Sequence, residues 1–503
     1  MNLNIPFEQI AVDCKDRVAL RHPGGDISYA MLHEAIKRLA RGLQKLGIKR
    51  GDRVAVMLPN MPHFVISYYA ALRLGAVVVP VNTMYKGREL SLVLEDCEAS
   101  VMIVWQGLYS ELSRIFNVIG SLKHMVVLGD DIPEGAISLT RLLARSHALN
   151  EIEEIEEEDP AIIQYTAGVT GIPKGVELTH GNLLSNVAAC REIMRVSQND
   201  EFLAVLPFFL PMGQTLQLNL GLLSGASLRL FPAFVPEDIC AAFLSGTSTL
   251  FVGVPSMYKI LLDQFRELDE ESAVENPIRL CICGAGGISE EILKEFEKTF
   301  KTYILECYTT VETSPVISFN QWRTGRRVGS LGHPIPGVEM RVVDENDNEV
   351  SIGEVGEIVV RGDNVMRGYI NRPRMSMEIL RNGWFHTGDL GKMDINGFFY
   401  LVERLNDRII KGGFSIYPTE VESVLYCHPD IAEIAVVGIP DETMGQEVKA
   451  CIVLCEGATV TTEQLANYCR DRMALYKVPA AIRFYKDLPH TPTGRIDKKE
   501  LRN

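Results

Sequence analysis

The stretch QYTAGVTGIPKGVELTH, Gln164 to His180, sets three glycines, three threonines, a proline and a lysine between two apolar runs. A glycine-rich turn can point consecutive backbone N–H groups inward as an anion nest. Thr166 and Thr170 add hydroxyls and Lys174 adds a mobile cation, a set suited to a polyphosphate. It is not a P-loop, because Lys174 follows Pro173 and precedes Gly175 where that pattern needs Ser or Thr. Taken alone, the segment reads equally well as a surface hairpin. Further on, CYTTVETSP places Tyr308 and Glu312 four apart, an aromatic face for stacking and a carboxylate for a metal ion. HTGDLG places Asp389 in a tight turn, able to accept from two ribose hydroxyls. The glycines of RLCICGAGGISEEILKEF only partly satisfy a dinucleotide fingerprint: Gly284, Gly286 and Ser289 leave its third glycine missing. Each of these segments is also ordinary turn or cap chemistry, and it is their joint occurrence in order that carries weight.

The elements that must hold these residues alternate along the chain. YAMLHEAIKRLARGLQKLGI repeats apolar positions at three and four residues, as an amphipathic helix does. RVAVMLP, HFVISYYAALRLG and AVVVPV then read as strand, helix and strand, which predicts largely parallel sheets covered by helices. IIQY is a strand candidate before the opening loop, and GNLLSNVAACREIM a helix candidate after it. GEVGEIVVRG and GWFHTGDLGKMDINGFFYLVER read as short strands with glycine turns. Beyond VERLNDRIIKGG the pattern becomes a compact mixture of helix and strand, placing a domain boundary at Asn406: residues 1–405 and 406–503.

At 503 residues the chain calls for more than one compact unit. Apolar residues at 47% and charged residues at 23% are those of a soluble globular protein, and a net charge of −15 excludes a general nucleic-acid binder. Eleven cysteines without a paired CxxC make a zinc site an unsupported reading; Cys281 and Cys283 belong on one face of a strand, as buried free thiols. The start lacks the features of a signal peptide, and no apolar run is long enough for a membrane span, so a cytoplasmic protein is expected. The acidic run EIEEIEEEDP reads as a solvated connector.

Taken together, the motifs resemble the adenylate-forming superfamily, most closely bacterial fatty-acid–CoA ligases. The resemblance runs from DISYAMLHEAIKRLARGLQKLGIKRGDRVAVMLPN to TPTGRIDKKELR. It implies an α/β fold: a large N-terminal AMP-binding domain of α/β subdomains with parallel sheets and a small β-barrel-like part, followed by a small mobile α+β domain. It implies an AMP-forming acyl-CoA synthetase, in which a carboxylate attacks ATP to give acyl-AMP and coenzyme A then displaces AMP. A medium or long fatty acid is the expected acid, ATP and coenzyme A are co-substrates, magnesium is the metal, and a homodimer is an admissible assembly. By the same resemblance Thr166, Ala167, Gly168, Val169, Thr170 and Gly171, with Lys174, would wrap the β- and γ-phosphates. Gly284, Ala285, Gly286 and Tyr308 would hold the adenine, Thr309 would lie in the same ATP/AMP site and narrow the acyl entrance, Asp389 and Arg404 would hold the ribose, and Thr166 with Glu312 the magnesium. Asn406 would be the hinge about which the small domain rotates between half-reactions; Gly413, Lys411 and Lys477 would meet coenzyme A. Leu210, Met212, Gly213, Val252 and Val311 would wall the acyl pocket, and Arg495, Glu312 and Lys174 would be catalytic.

The sequence departs from that pattern in places. Ala167 and Val169 replace hydroxyl residues of TSGTTG, Thr309 and Val311 replace a glycine and a hydroxyl of YGxTE, and Leu210 stands where a histidine is common. Arg495 stands where lysine is expected, exchanging a compact charge for a planar fork. These departures keep open a catalytically impaired ATP- or acyl-CoA-binding homologue, and an acyl-AMP ligase that loads a carrier protein. Phe202 to Leu228 carries no charged side chain, which favours a hydrocarbon acid over an amino acid whose ammonium would need a buried partner.

Overall fold

The structure is a computed structural model; it describes all residues except 114, 117, 167–172, 268–277, 322–323, 405–407, 490–495 and 503, and of residues 111, 267, 403, 404 and 419 only the backbone. Among the described residues four sheets form. In the first, Glu201–Ala204, Ser227–Leu230, Leu250–Gly253, Leu280–Cys283 and Ile304–Thr309 run parallel, with antiparallel strands at its edges. The second holds Arg53–Met57, Val77–Pro80, Val101–Trp105, His124–Leu128 and Pro160–Thr166 in parallel.

Strand parity explains how the two sheets assemble. Val54 and Val56 of one, and Leu250 and Val252 of the other, belong to a single shared core, while Ala55, Met57 and Phe251 face separate outer cores. Both faces are therefore apolar, as buried parallel sheets require. Helices Tyr29–Lys45, Pro62–Arg73 and His180–Met194 contribute to the shared layer. Tyr29–Lys45 starts where Ser28 Oγ accepts from Met31 N at 3.2 Å, and it buries Leu32, Ile36, Leu39 and Leu43 along one stripe. Cys281 and Cys283 do share a face, in the outer core of the first sheet. Of the eleven cysteines, nine are buried and only Cys427 and Cys455 are exposed.

Two local expectations change. Lys174–Thr179 is itself a strand, antiparallel to Pro160–Thr166, so the opening stretch joins the strands of a hairpin before helix His180–Met194 begins. Its glycine and brevity hid the strand from a periodicity reading. Asp389 lies inside the strand Trp384–Met393 of a third, antiparallel sheet; Gly388, at φ +70°, and a register shift at Leu390/Gly391 supply the irregularity that the sequence suggested was a turn.

The fourth sheet is a unit of its own. Strands Ile409–Lys411, Phe414–Ile416, Ile431–Asp441, Gly445–Leu454 and Ala481–Tyr485 pack with helices Pro418–Leu425 and Thr462–Arg470 around Ile409, Val421, Leu425, Val436 and Val448. No helix among the described residues is long and apolar enough to cross a membrane.

One buried histidine gives the large unit a pH dependence. His180 accepts a hydrogen bond at Nδ1 from Leu3 N at 3.1 Å, and burial holds its pKa down to about 3. The neutral ring is favoured in the folded state, so the unfolded chain takes up the proton first, below about pH 6.5, and stability falls with pH from there. Going from about pH 7 to about pH 5 should remove about 2 kcal/mol through this group. Urea midpoints at the two pH values check it: His180→Gln should show a smaller acid loss than the parent by that amount, and an unchanged loss would refute it.

Candidate active site

The carboxyl ends of the parallel strands, where open α/β sheets place their ligands, open onto a cavity of about 390 Å³. Thr166 ends its strand at this cavity, and its Oγ1 is buried without a hydrogen-bond partner among the described residues. Ala285 and Gly286 reach it from the loop after Leu280–Cys283; Ala285 takes φ +61°, turning the chain past the strand end. Tyr308, Thr309, Val311 and Glu312 arrive from the end of Ile304–Thr309 and the short 3₁₀ turn that follows it. Leu210 and Met212 wall the apolar side with Leu206, Phe209 and Val254. The small unit closes the cavity with Arg408, Ile410, Gly413, Phe414 and Tyr417.

Two short networks stiffen the polar wall. Tyr308 donates from its hydroxyl to Asp389 Oδ2 at 2.6 Å, so Asp389 sits behind the ring and not on the cavity surface. Burial raises the Asp389 carboxyl above its ordinary range, while the Arg408 guanidinium and the Tyr308 hydroxyl act against the rise. Tyr369 donates to Glu312 Oε1 at 2.8 Å and carries the Lys174 ammonium over its ring at 4.7 Å. Burial lowers the Lys174 pKa and the Glu312 charge opposes that. Lys174 thus stands one side chain behind Glu312, off the cavity surface.

Several expected residues lie elsewhere. Gly284, Gly213 and Val252 pack behind the wall: a Cβ on Gly284 would come 2.6 Å from Cys307 Sγ, one on Gly213 would meet Pro207 O at 2.4 Å, and Val252 is wholly buried in the core. The backbone of Arg404 pairs with that of Asp389 across two strands, and its side chain lies outside what is described. Lys411 Nζ is bound to Glu447 Oε2 at 2.7 Å. Lys477 is buried between Glu89 of the large unit, 2.6 Å away, and Glu420 of the small unit, 3.3 Å away. Ala167, Gly168, Val169, Thr170, Gly171, Asn406 and Arg495 lie outside the described residues.

The chemical content is now plain: a stacking ring backed by a buried carboxylate, a second carboxylate near a cation, an unpartnered hydroxyl and an apolar recess. Residues 7–370 match the family model for the AMP-binding enzyme, and residues 420–495 match that for its C-terminal domain. The chain belongs to the AMP-binding enzyme family. It is 36% identical to a long-chain-fatty-acid–CoA ligase of Bacillus subtilis, over 97% of this chain and 91% of that one. It is 34% identical to a feruloyl-CoA synthase of an Amycolatopsis species, over 96% and 95%. A doubly substituted o-succinylbenzoate-CoA synthetase of Bacillus subtilis, bound to its product analogue, superposes with TM-score 0.88 at 28% identity, covering 99% of this chain and 98% of that one.

As an AMP-binding enzyme the chain has site residues that the sequence reading missed. Tyr369, which bridges Lys174 and Glu312, has no local signal. Arg408 has one: Ile409 faces the small unit's core, so strand alternation sends 408 and 410 to the opposite face, toward the cavity.

Proposed function

We propose that the protein is an AMP-forming acid–thiol ligase, converting a carboxylic acid, ATP and coenzyme A to acyl-CoA, AMP and pyrophosphate through acyl-AMP. The observation that carries this reading is the single cavity in which Tyr308, Glu312 and Thr166 of the large unit meet Gly413 of the small one. Tyr308 would stack on the adenine, with its hydroxyl held in place by Asp389. Asp389, expected to accept from the ribose hydroxyls, stands behind the tyrosine ring and would act on the nucleotide through Tyr308. Glu312 and the unpartnered Thr166 Oγ1 fit magnesium, which takes few protein oxygens and completes its shell with phosphates and water. Magnesium would neutralise phosphate charge as it develops. Lys174, held near Glu312 over Tyr369, adds positive charge on the same side. Residues 406–503 would rotate about Asn406 between half-reactions, and the likeness to a product-analogue complex supports reading the present arrangement as that of thioester formation.

Gly413 supports coenzyme A as acceptor. At φ +85° a Cβ there would stand 2.4 Å from Val254 Cγ1, so only glycine lets the small unit's loop lie this close to the cavity. The wall of Leu206, Phe209, Leu210, Met212 and Val254 suits a hydrocarbon acid of medium or long chain. The relatives named for fatty and for ferulic acids support an apolar acid of either kind.

The test is pyrophosphate release with ATP and magnesium over acids from acetate to palmitate and benzoate, with and without coenzyme A. Turnover that depends on coenzyme A and favours one class of acid is expected; silence across the panel would overturn the reading. Arg495→Lys should raise acyl-AMP formation on the order of tenfold, since a compact ammonium restores a donor whose full loss typically costs far more. An equal or lower rate in that variant would show that the guanidinium suits this site.

A further inference from the structure

Among the described residues lining the cavity, Arg408 is the only lysine or arginine. Glu306 and Glu312 line the same space, so the described wall carries more negative than positive side chains before any nucleotide enters. Tyr417, Asp389, Glu312 and Tyr308 all lie close enough to the Arg408 guanidinium to act on its charge. Tyr417 also lines the cavity and immediately precedes helix Pro418–Leu425, which anchors it in the small unit. Among the described residues, Arg408 is therefore a cation carried by the small unit into a pocket whose other charges belong to the large one.

We infer that Arg408 is a catalytic residue of the second half-reaction, its guanidinium facing the phosphate of acyl-AMP as that phosphate becomes the leaving group. The inference rests on the acid–thiol ligase reading. In that step the thiol sulfur bonds to the acyl carbonyl carbon, and the carbon–oxygen bond of the mixed anhydride breaks. The electron pair goes to the phosphate oxygen, and the thiol proton passes to water. AMP thereby gains a negative charge beside a wall that already holds two carboxylates. A planar two-donor fork matches phosphate oxygens better than any other side chain on this wall. The superposition on an enzyme bound to a coenzyme A product analogue supports this arrangement as the one in which that charge appears. A purely structural role, as counter-ion to Glu312 and Asp389, predicts something different: loss of stability with no preference for either half-reaction.

The experiment uses the full chain, Arg408→Met and Arg408→Lys, with thermal unfolding as control. The first half-reaction is followed by pyrophosphate release, the second by AMP release from synthetic acyl-AMP and coenzyme A, and AMP affinity by calorimetric titration. For Arg408→Met the second half-reaction should fall on the order of a hundredfold, with a loss at least about ten times that of the first, and AMP should bind about tenfold more weakly. Arg408→Lys should recover much of both. Equal losses in the two half-reactions, or full AMP affinity in Arg408→Met, would overturn the inference. A parent enzyme that releases no pyrophosphate with any acid would overturn the ligase reading instead, and the AMP titration would still decide whether Arg408 meets the phosphate.

Discussion

Glu312→Gln should lower the rate of acyl-AMP formation by about a hundred- to a thousandfold while leaving the fold intact. The amide keeps an oxygen for the Tyr369 hydroxyl, which now donates to Glu312 Oε1 at 2.8 Å, so the local packing has no reason to change. The negative charge is what disappears. In the proposed reading that charge would help hold magnesium, and it opposes the burial that depresses the pKa of Lys174. Without it the Lys174 pKa drops further, so the positive charge behind Glu312 would weaken together with the proposed metal site. Both effects act in one direction, on the step in which charge builds at the α-phosphate. The measurement is kcat for pyrophosphate release in parallel with the unfolding temperature. A loss smaller than about tenfold would remove Glu312 from the chemistry.

Lys477→Met should have a comparably large effect through a different route. Lys477 Nζ lies 2.6 Å from Glu89 and 3.3 Å from Glu420, and Glu89 Oε2 also accepts from Ala474 N at 3.1 Å. The rings of Tyr85 and Tyr476 cover the ammonium on either side. This cluster joins the two units just behind the cavity, whose wall includes Tyr85 and Tyr476, and its charges are desolvated. Removing the lysine leaves two buried carboxylates facing each other, a change that typically costs about 3–5 kcal/mol. The large unit keeps its own core, so the cost falls on the docked arrangement. Coenzyme A-dependent turnover should drop far more than pyrophosphate release, and solution scattering should show a more extended particle. The sign with pH follows from Glu420, whose carboxyl is raised by burial and held back by Lys477. Without the lysine it rises further, so docking in the variant should recover as pH falls and its carboxyl is protonated. A variant that stays compact and keeps its balance of half-reactions at every pH would refute the latch.

Much of the frame was legible because it is local. The amphipathic stripe of Tyr29–Lys45 and the apolar runs at Val54, Val77 and Val101 need only neighbours along the chain to be recognised. So did the motif residues that end strands, because a carboxyl-terminal strand end is where an α/β sheet exposes side chains: Thr166 and Tyr308 both reached the cavity. What stayed hidden was pairing at a distance. Nothing near Tyr308 announces that its hydroxyl meets Asp389, eighty-one residues on. Lys477 read as a basic residue available to coenzyme A, yet its partner Glu89 lies 388 residues away and turns it into a buried tie between units. The strand Lys174–Thr179 failed for the opposite reason: glycine and a short run masked a local pattern that was present. Arg408 lay within reach of simple alternation once Ile409 was recognised as core.

The distribution of thiols offers a handle on motion. Nine cysteines are buried, Cys307 among them at the cavity wall with its thiol pKa raised by burial, and the two that face solvent, Cys427 and Cys455, both belong to the small unit. A maleimide dye added to the unmodified protein would therefore decorate that unit alone, sparing the large one without any mutagenesis. Its fluorescence anisotropy could then follow the small unit's swing in real time as ATP, acid and coenzyme A are added in turn.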